Sequence, residues 1–123
     1  MAQHLIILST GRSDNGKKAT LALQIGIGAL AVGDDVNLYL AMDGACWAFK
    51  QCSNGVCVPG DRPVSEYVVE FQELGGNIML CSRCAEGLCG EQCPKERDLI
   101  PGADYAGMAT VAELACESVV YTF

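Results

Sequence analysis

The chain has 123 residues, of which 50% are apolar and 19% are charged, and its formal charge is −7 at pH 7. This length and apolar content predict one globular domain over residues 1–123 and exclude a disordered chain. Nucleic acids and anionic lipid surfaces bind clustered Lys and Arg, so we expect neither a nucleic acid nor a membrane as partner. The longest apolar stretch, residues 19–33, falls short of the roughly 18 to 20 residues that cross a bilayer.

The compartment decides how the eight cysteines are interpreted. Residues 4–8 form a strand-length apolar run without a basic leader or a small-residue cleavage site, so we expect no secretory signal. A cytoplasmic protein is therefore expected. In a reducing compartment, cysteines at this density indicate metal binding or thiol chemistry more often than a disulfide framework.

Apolar runs separated by turn residues predict alternating strands and helices. The expected strands are residues 4–9, 36–41, 77–80, a short one at 98–100, and 118–123. The expected helices are residues 17–32, 63–74, and one that opens on a capping box at 110–113. The Gly and Pro content of residues 42–61 predicts an irregular loop. This order predicts an α/β fold, a three-layer sandwich around a mainly parallel sheet of about five strands.

Two apparent phosphate-binding patterns match only in part. Residues 11–18 follow a strand and open a helix, but Lys18 stands where a P-loop needs Ser or Thr to hold magnesium. The same stretch is better explained as a polar loop in which Asp14 or Asn15 caps the helix. Residues 26–31 spell a dinucleotide fingerprint inside a predicted helix, which indicates close packing instead. We therefore expect no nucleotide cofactor, and we expect a structural role for His4.

Cys81 and Cys84 form a C-x-x-C pair directly after the third predicted strand. In a parallel sheet, chemistry collects at the carboxyl ends of the strands, where Cys46 is also expected. A thiol that leaves a strand into a helical turn lies near backbone N–H groups, and Arg83 adds positive charge. We predict that Cys81 is a nucleophile of lowered pKa and that Cys84 resolves its mixed disulfide or persulfide, with Cys46 as a third candidate.

Two other interpretations of these thiols stay open. Cys81, Cys84, Cys89 and Cys93 have the spacing C-x2-C-x4-C-x3-C-P, which favours zinc or an iron–sulfur cluster. Ferredoxin spacing, however, places two residues between its second and third cysteines, where this chain has four. Alternatively, Cys81 and Cys84 are small buried hydrophobic residues, as we expect for Cys116 in the last helix.

Motifs along the whole chain carry a resemblance to a known family. They are an Ala/Leu-rich first helix at residues 19–23, MDG at 42–44, LCSRC at 80–84, LIPGA at 99–103, AELA at 112–115 and VVYTF at 119–123. Together they resemble the DsrE/DsrF-like family, whose branches include YchN-like and TusD-like proteins. Where that family usually continues with Arg-Gly, this chain has Leu88-Cys89.

The resemblance implies a parallel α/β fold and assembly into trimers or hexamers, of identical or related subunits. In the sulfur-relay members it implies a persulfide-bearing cysteine at the position of Cys81, and Cys84 matches the second cysteine of the YchN-like branch. The apolar first helix is then expected at a subunit interface.

We therefore predict a persulfide carrier or sulfurtransferase-like protein of intracellular sulfur relay or sulfur oxidation and reduction. Donor and acceptor proteins are the expected partners, and persulfide exchange requires no metal or nucleotide cofactor. Two alternatives are a cysteine-rich zinc or iron–sulfur protein on the same fold, and a subunit of a relay complex that carries no chemistry.

Overall fold

The computed structural model describes residues 1–84 and 98–123 of the chain. Its five strands are β1 (Gln3–Leu8), β2 (Asp35–Leu40), β3 (Asn77–Leu80), β4 (Asp104–Tyr105) and β5 (Val119–Thr122). They form one sheet in the order β4-β3-β2-β1-β5, and every pairing is parallel. The predicted α/β fold with a five-stranded parallel sheet is therefore confirmed.

One face of the sheet packs against two helices, α1 (Lys17–Ala31) and α3 (Val64–Glu73). Gly26 of α1 lies so close to Phe71 of α3 that a Cβ atom at Gly26 would be 2.8 Å from the Phe71 ring. This close approach explains the glycine in the middle of the helix. The predicted packing surface is confirmed at Gly26 and at the half-buried Ile27, Ala29 and Leu30, whereas Gly28 is exposed. Asp14 accepts hydrogen bonds from the backbone N–H groups of Gly16 and Lys18 at the start of α1, as the capping interpretation predicts.

The other face of the sheet is covered by α4 (Met108–Glu117), which completes the three layers. Val111 of α4 is buried against Leu5 and Tyr39, and Leu114 and Ala115 are half-buried beside them. This second core is the smaller of the two. Around it, Met108 is 60% exposed and Val119 of the edge strand β5 is 51% exposed.

His4 lies at the start of β1, at the amino end of the sheet. Its Nε2 is 2.8 Å from the Oδ2 atom of Asp34, and its Nδ1 is 3.2 Å from the hydroxyl of Tyr121 on β5. These contacts join the loop after α1 to the edge strand, which is the structural role expected for this histidine.

Residues 42–61 are more regular than their Gly and Pro content predicts. A 3₁₀ helix covers Met42–Ala48, and a short helix, α2, covers Lys50–Ser53. Tertiary burial explains the difference, because Trp47 is 2% exposed and its indole N–H donates to the carbonyl oxygen of Thr10 at 2.9 Å. Gly44 meets the Leu8 carbonyl so closely that a Cβ there would lie 2.0 Å from the oxygen.

Three further predictions near the end of the chain are wrong. Residues 98–100 form no strand of the sheet, because Asp98 and Ile100 bond instead to the backbones of Lys50 and Ala48. The fourth strand is β4, further along the chain.

The last helix begins at Met108, so Thr110 lies inside it and does not cap it. Cys116 is exposed on that helix instead of buried in the core, since α4 turns only one narrow face to the sheet. Among the described residues, no helix is long and apolar enough to cross a membrane.

Candidate functional site

Cys81 stands at the carboxyl end of β3, directly beside the end of β2. Its backbone N–H donates to the carbonyl oxygen of Leu40 at 3.2 Å, which extends the pairing of the two strands by one residue. The chain then turns helical at Ser82 and Arg83. The side chain of Cys81 is half-buried, and Cys84 at the end of this turn is 6% exposed. The structure therefore brings the two cysteines of the C-x-x-C pair together at the carboxyl end of the strands.

Hydrogen bonds lower the pKa of the Cys81 thiol. The largest contribution comes from the backbone N–H of Cys84, which points at the sulfur of Cys81. Burial acts in the opposite direction, but the thiol of Cys84, the hydroxyl of Tyr39 and the backbone N–H of Arg83 also donate to this sulfur. Because these donors favour the charged form, Cys81 is the readier of the two thiols to ionise.

The pKa of the Cys84 thiol is raised. Burial is the main cause, and the hydrogen bond and the negative charge of Cys81 add to it. The backbone N–H of Met42 and the guanidinium of Arg83 act the other way without reversing the direction. The pair is thus asymmetric, with a thiolate-forming Cys81 and a protonated Cys84 that donates to it.

Met42 closes the site from the end of β2. Its φ of 52° lies in the left-handed region, which non-glycine residues seldom adopt, and its side chain is 56% exposed. Backbone strain of this kind is often retained where it positions a group. Here the same residue directs its backbone N–H at the sulfur of Cys84.

A cavity of about 470 Å³ opens at the two thiols. It is lined by Met42, Cys81, Arg83, Cys84 and Met108. Arg83 is the only charged residue in this lining among the described residues, and its side chain is exposed. The cavity therefore gives a ligand access to Cys81 between two thioether side chains and a guanidinium group.

Tyr39 is a residue of this site that the sequence interpretation missed. It lies on β2 opposite Met79 of β3, so that Tyr39 and Cys81 point to the same face of the sheet. Its single hydroxyl proton has two acceptors, the sulfur of Cys81 and the carbonyl oxygen of Ala106, which lies at 3.4 Å. The alternation of side chains along two paired strands could have indicated it, but only with the register known.

None of the other cysteines of the described residues lines this cavity. Cys46, the third predicted candidate, is fully buried in the main core, on the 3₁₀ helix after β2. Cys52 is buried and disulfide-bonded. Cys57 and Cys116 are free and exposed.

The metal alternative falls partly outside the structure. Cys89 and Cys93 lie outside the described residues, so the predicted set of four ligands stays a prediction. Within residues 1–84 and 98–123, no group of three or more His, Cys, Asp or Glu side chains is arranged to hold a metal ion.

The fold and the site define an α/β protein with an asymmetric thiol pair at the carboxyl edge of a parallel sheet. The sequence profile of the DsrE/DsrF-like family matches residues 3–123, and the chain belongs to this family. The family is one of sulfur-relay-like proteins, and the predicted resemblance is confirmed.

Solved structures show the same fold at low sequence identity. The YchN protein from E. coli is 17% identical, with a TM-score of 0.77 and coverage of 100% of both chains. A protein of unknown function from Bacteroides thetaiotaomicron, BT1422, is 15% identical, with a TM-score of 0.57 and coverage of 98% of this chain and 94% of that one. A search of curated protein sequences finds no significant match.

Proposed function

We propose that this protein carries sulfane sulfur as a persulfide on Cys81 within an intracellular sulfur relay. The observation that supports this role is the placement of Cys81, a half-buried thiol of lowered pKa that opens into a cavity at the end of β3. Persulfide transfer needs a thiolate, an access route and a means of releasing the sulfur. The described site contains a group suited to each requirement.

Loading is a thiol exchange at sulfur. The Cys81 thiolate attacks the terminal sulfur of a donor persulfide, R–S–SH, so that a new S–S bond forms on Cys81 and the S–S bond of the donor breaks. The donor leaves as the thiolate RS⁻ with the electron pair of the broken bond. Delivery repeats the step in reverse, since an acceptor thiolate attacks the terminal sulfur of Cys81–S–SH and Cys81 leaves as the thiolate.

Cys84 provides a second way to discharge the sulfur. Its thiolate attacks the Sγ atom of Cys81, a Cys81–Cys84 disulfide forms, and hydrosulfide leaves with the electron pair. A dithiol reductant then restores both thiols. Because the pKa of Cys84 is raised by burial, this route is slow until a base or a partner removes its proton.

The surface around the cavity supports a protein partner. Met42 and Met108 line the cavity and are 56% and 60% exposed, and Tyr105 of the neighbouring β4 is 57% exposed. Flexible, apolar methionines suit a contact that must form and dissociate. We place donor and acceptor proteins of the relay, in the cytoplasm, on this surface.

Assembly of identical or related subunits is part of the proposal, with residues 1–123 as one DsrE-like domain. Leu21 of α1 is 48% exposed, and Val119 and Val120 of the edge strand are 51% and 42% exposed. Apolar side chains at an open sheet edge and on a helix are the features that a trimer or hexamer would cover.

Mass spectrometry tests the assignment of Cys81. The protein is incubated with a sulfane-sulfur donor, and an adduct of about 32 Da, one sulfur atom, is expected on the Cys81 peptide and lost in Cys81→Ser. Cys57→Ser and Cys116→Ser are matched controls, because both cysteines are more exposed than Cys81. Their replacement is expected to leave loading unchanged.

Two results would contradict the proposal. The first is an adduct that persists in Cys81→Ser and is lost in one of the two control variants. The second is loading of all free cysteines in proportion to their exposure, because accessibility alone would then explain the reaction.

A further inference from the structure

The hydroxyl of Tyr39 is a buried polar group at the base of the site. The residue is 1% exposed and packs in the core beneath α4, among Leu5, Ala41 and Val111. A buried hydroxyl needs a hydrogen-bond partner. The carbonyl oxygen of Ala106 lies at 3.4 Å, which is long for an O–H···O bond. The sulfur of Cys81 is the second group that contacts the hydroxyl.

We propose that the Tyr39 hydroxyl is the hydrogen-bond donor that stabilises negative charge on the Cys81 sulfur, in the resting thiolate and when Cys81 is the leaving group of sulfur delivery. The first half rests on the register of β2 and β3, which places Tyr39 and Cys81 on one face of the sheet, and on the burial of Tyr39 in the core cluster against which Cys81 packs. The second half also rests on the proposed persulfide chemistry. The hydroxyl approaches the sulfur from the face of the sheet that packs against α4.

The phenol is suited to be a donor at every pH at which the protein works. Burial, together with the hydrogen bond and charge of Cys81, raises the pKa of Tyr39 to about 12. The proton therefore stays on the phenol oxygen while the thiol of Cys81 ionises. When Cys81 carries a sulfur atom, its Sγ is no longer charged, and the hydroxyl retains Ala106 as an acceptor.

The two transfer steps should respond differently to loss of this hydrogen bond. A thiolate of higher pKa is intrinsically the better nucleophile, so loading at a pH where Cys81 is fully ionised should not become slower. Delivery expels Cys81 as a thiolate, and a leaving group of higher pKa leaves more slowly. Loss of the hydroxyl should thus slow delivery and spare loading.

Tyr39→Phe removes the hydroxyl and keeps the ring that fills the core. The rate of iodoacetamide alkylation at Cys81 is measured against pH by mass spectrometry on the full chain. Since a charge-assisted hydrogen bond is lost, the midpoint of the profile should move upward by about one pH unit. The thiolate fraction below both midpoints then falls about tenfold, and because the thiolate of higher pKa is the better nucleophile, the alkylation rate should fall about threefold. Tyr121→Phe is the matched control, because its hydroxyl contacts His4 at the amino end of the sheet.

Among the described residues, the other titratable groups on the elements around Cys81 are the same in the two variants. Arg83 and Cys84 share its turn, Asp43 lies on the 3₁₀ helix after β2, Asp104 and Tyr105 lie on β4, and Glu113 lies on α4. All of them are present in Tyr39→Phe and in Tyr121→Phe, so a difference between the two profiles reports the Tyr39 hydroxyl.

A second variant covers the case in which Tyr39→Phe does not fold. Site-specific replacement of Tyr39 by 3-fluorotyrosine keeps the hydroxyl and makes it a stronger donor, so the alkylation midpoint should move downward. An unchanged midpoint in either folded variant, or equal shifts in Tyr39→Phe and Tyr121→Phe, would overturn the proposal.

Loading and delivery rates separate this proposal from the proposed function. At a pH above both midpoints, Tyr39→Phe should load sulfur at least as fast as the parent chain and should deliver it several-fold more slowly to a thiol acceptor. If loading and delivery slow equally, Tyr39 has a merely structural role, and the proposal that its hydroxyl assists delivery is overturned. A different result is that the parent chain forms no persulfide while the alkylation midpoint of Tyr39→Phe still moves upward. That result would contradict the proposed function, but it would support the role of Tyr39 in stabilising the Cys81 thiolate.

Discussion

Gly26 and Gly28 of α1 allow the same substitution, glycine to alanine, to be compared at a crowded and at an open position of one helix. A Cβ at Gly26 would lie 2.8 Å and 3.1 Å from two atoms of the Phe71 ring and 3.4 Å from Ile6. A Cβ at Gly28 would meet nothing within 4 Å. We expect Gly26→Ala to destabilise the protein and Gly28→Ala to stabilise it, although both replace a helical glycine by the best helix former.

The magnitudes follow from helix propensity and packing. Alanine in place of an interior helical glycine gains roughly 0.5–1 kcal/mol, and Gly28→Ala should show most of that gain. At Gly26 the same gain is opposed by overpacking, which costs roughly 1–3 kcal/mol. Phe71 is fully buried and cannot retreat, because a Cβ at Gly76 on its other side would already be 2.4 Å from the ring. The two variants should therefore differ by about 1–3 kcal/mol.

Urea unfolding at one fixed chain concentration measures this difference. A fixed concentration is needed because association of subunits would add a concentration-dependent contribution to the free energy of unfolding. Light scattering on both variants shows whether the exposed position of Gly28 affects assembly. A Gly26→Ala variant as stable as Gly28→Ala would refute the packing argument, since the ring of Phe71 would then have room to move.

Three further predictions concern the thiol pair, assembly and acid stability. Cys84→Ala removes a thiol that donates to Cys81 and keeps the backbone N–H, so the alkylation midpoint of Cys81 should rise modestly; an unchanged midpoint would argue against contact between the thiols. Val120→Asp places charge on the exposed edge strand, and light scattering should show a mass near the 13.0 kDa of one chain in place of three or six times that value. A parent chain that is already monomeric would contradict the assembly. The hydrogen bond to His4 lowers the pKa of Asp34, so the stability it contributes is present above the usual carboxyl pKa of about 3.9 and is lost as the pH falls further. Between pH 7 and pH 3, Asp34→Asn should lose less of its stability to urea than the parent chain loses. An equal loss in both chains would show that other carboxylates cause the acid sensitivity.

The main strands and helices could be predicted because their signals are local. A continuous apolar run identifies β1, an apolar run interrupted only by Asn37 identifies β2, and the apolar face of α3 lies between a proline and two glycines. Residues 42–61 could not be predicted in the same way. Their Gly and Pro content indicates a loop, whereas the burial of Trp47 and the close approach of Gly44 to Leu8 impose helical turns.

The pairing of residues 98–100 was also beyond local analysis. Asp98 and Gln51 exchange hydrogen bonds across 47 residues of sequence, at 2.8 Å and 2.9 Å. A contact of this separation leaves no periodic pattern in either segment. The short strand β4 has only two residues, too few for any alternation to be recognised.

By itself, the sequence determined where the thiol pair lies. Cys81 and Cys84 follow an apolar strand at a spacing of three residues, and both the strand and the spacing are local properties. Only the tertiary structure decided which thiol ionises more readily and what stabilises it. The backbone N–H of Cys84 reaches Cys81 through the turn, but Tyr39 reaches it through the parallel register of β2 and β3, in which it faces Met79. Because that register joins residues 40 positions apart, the contact exists only once the sheet has formed.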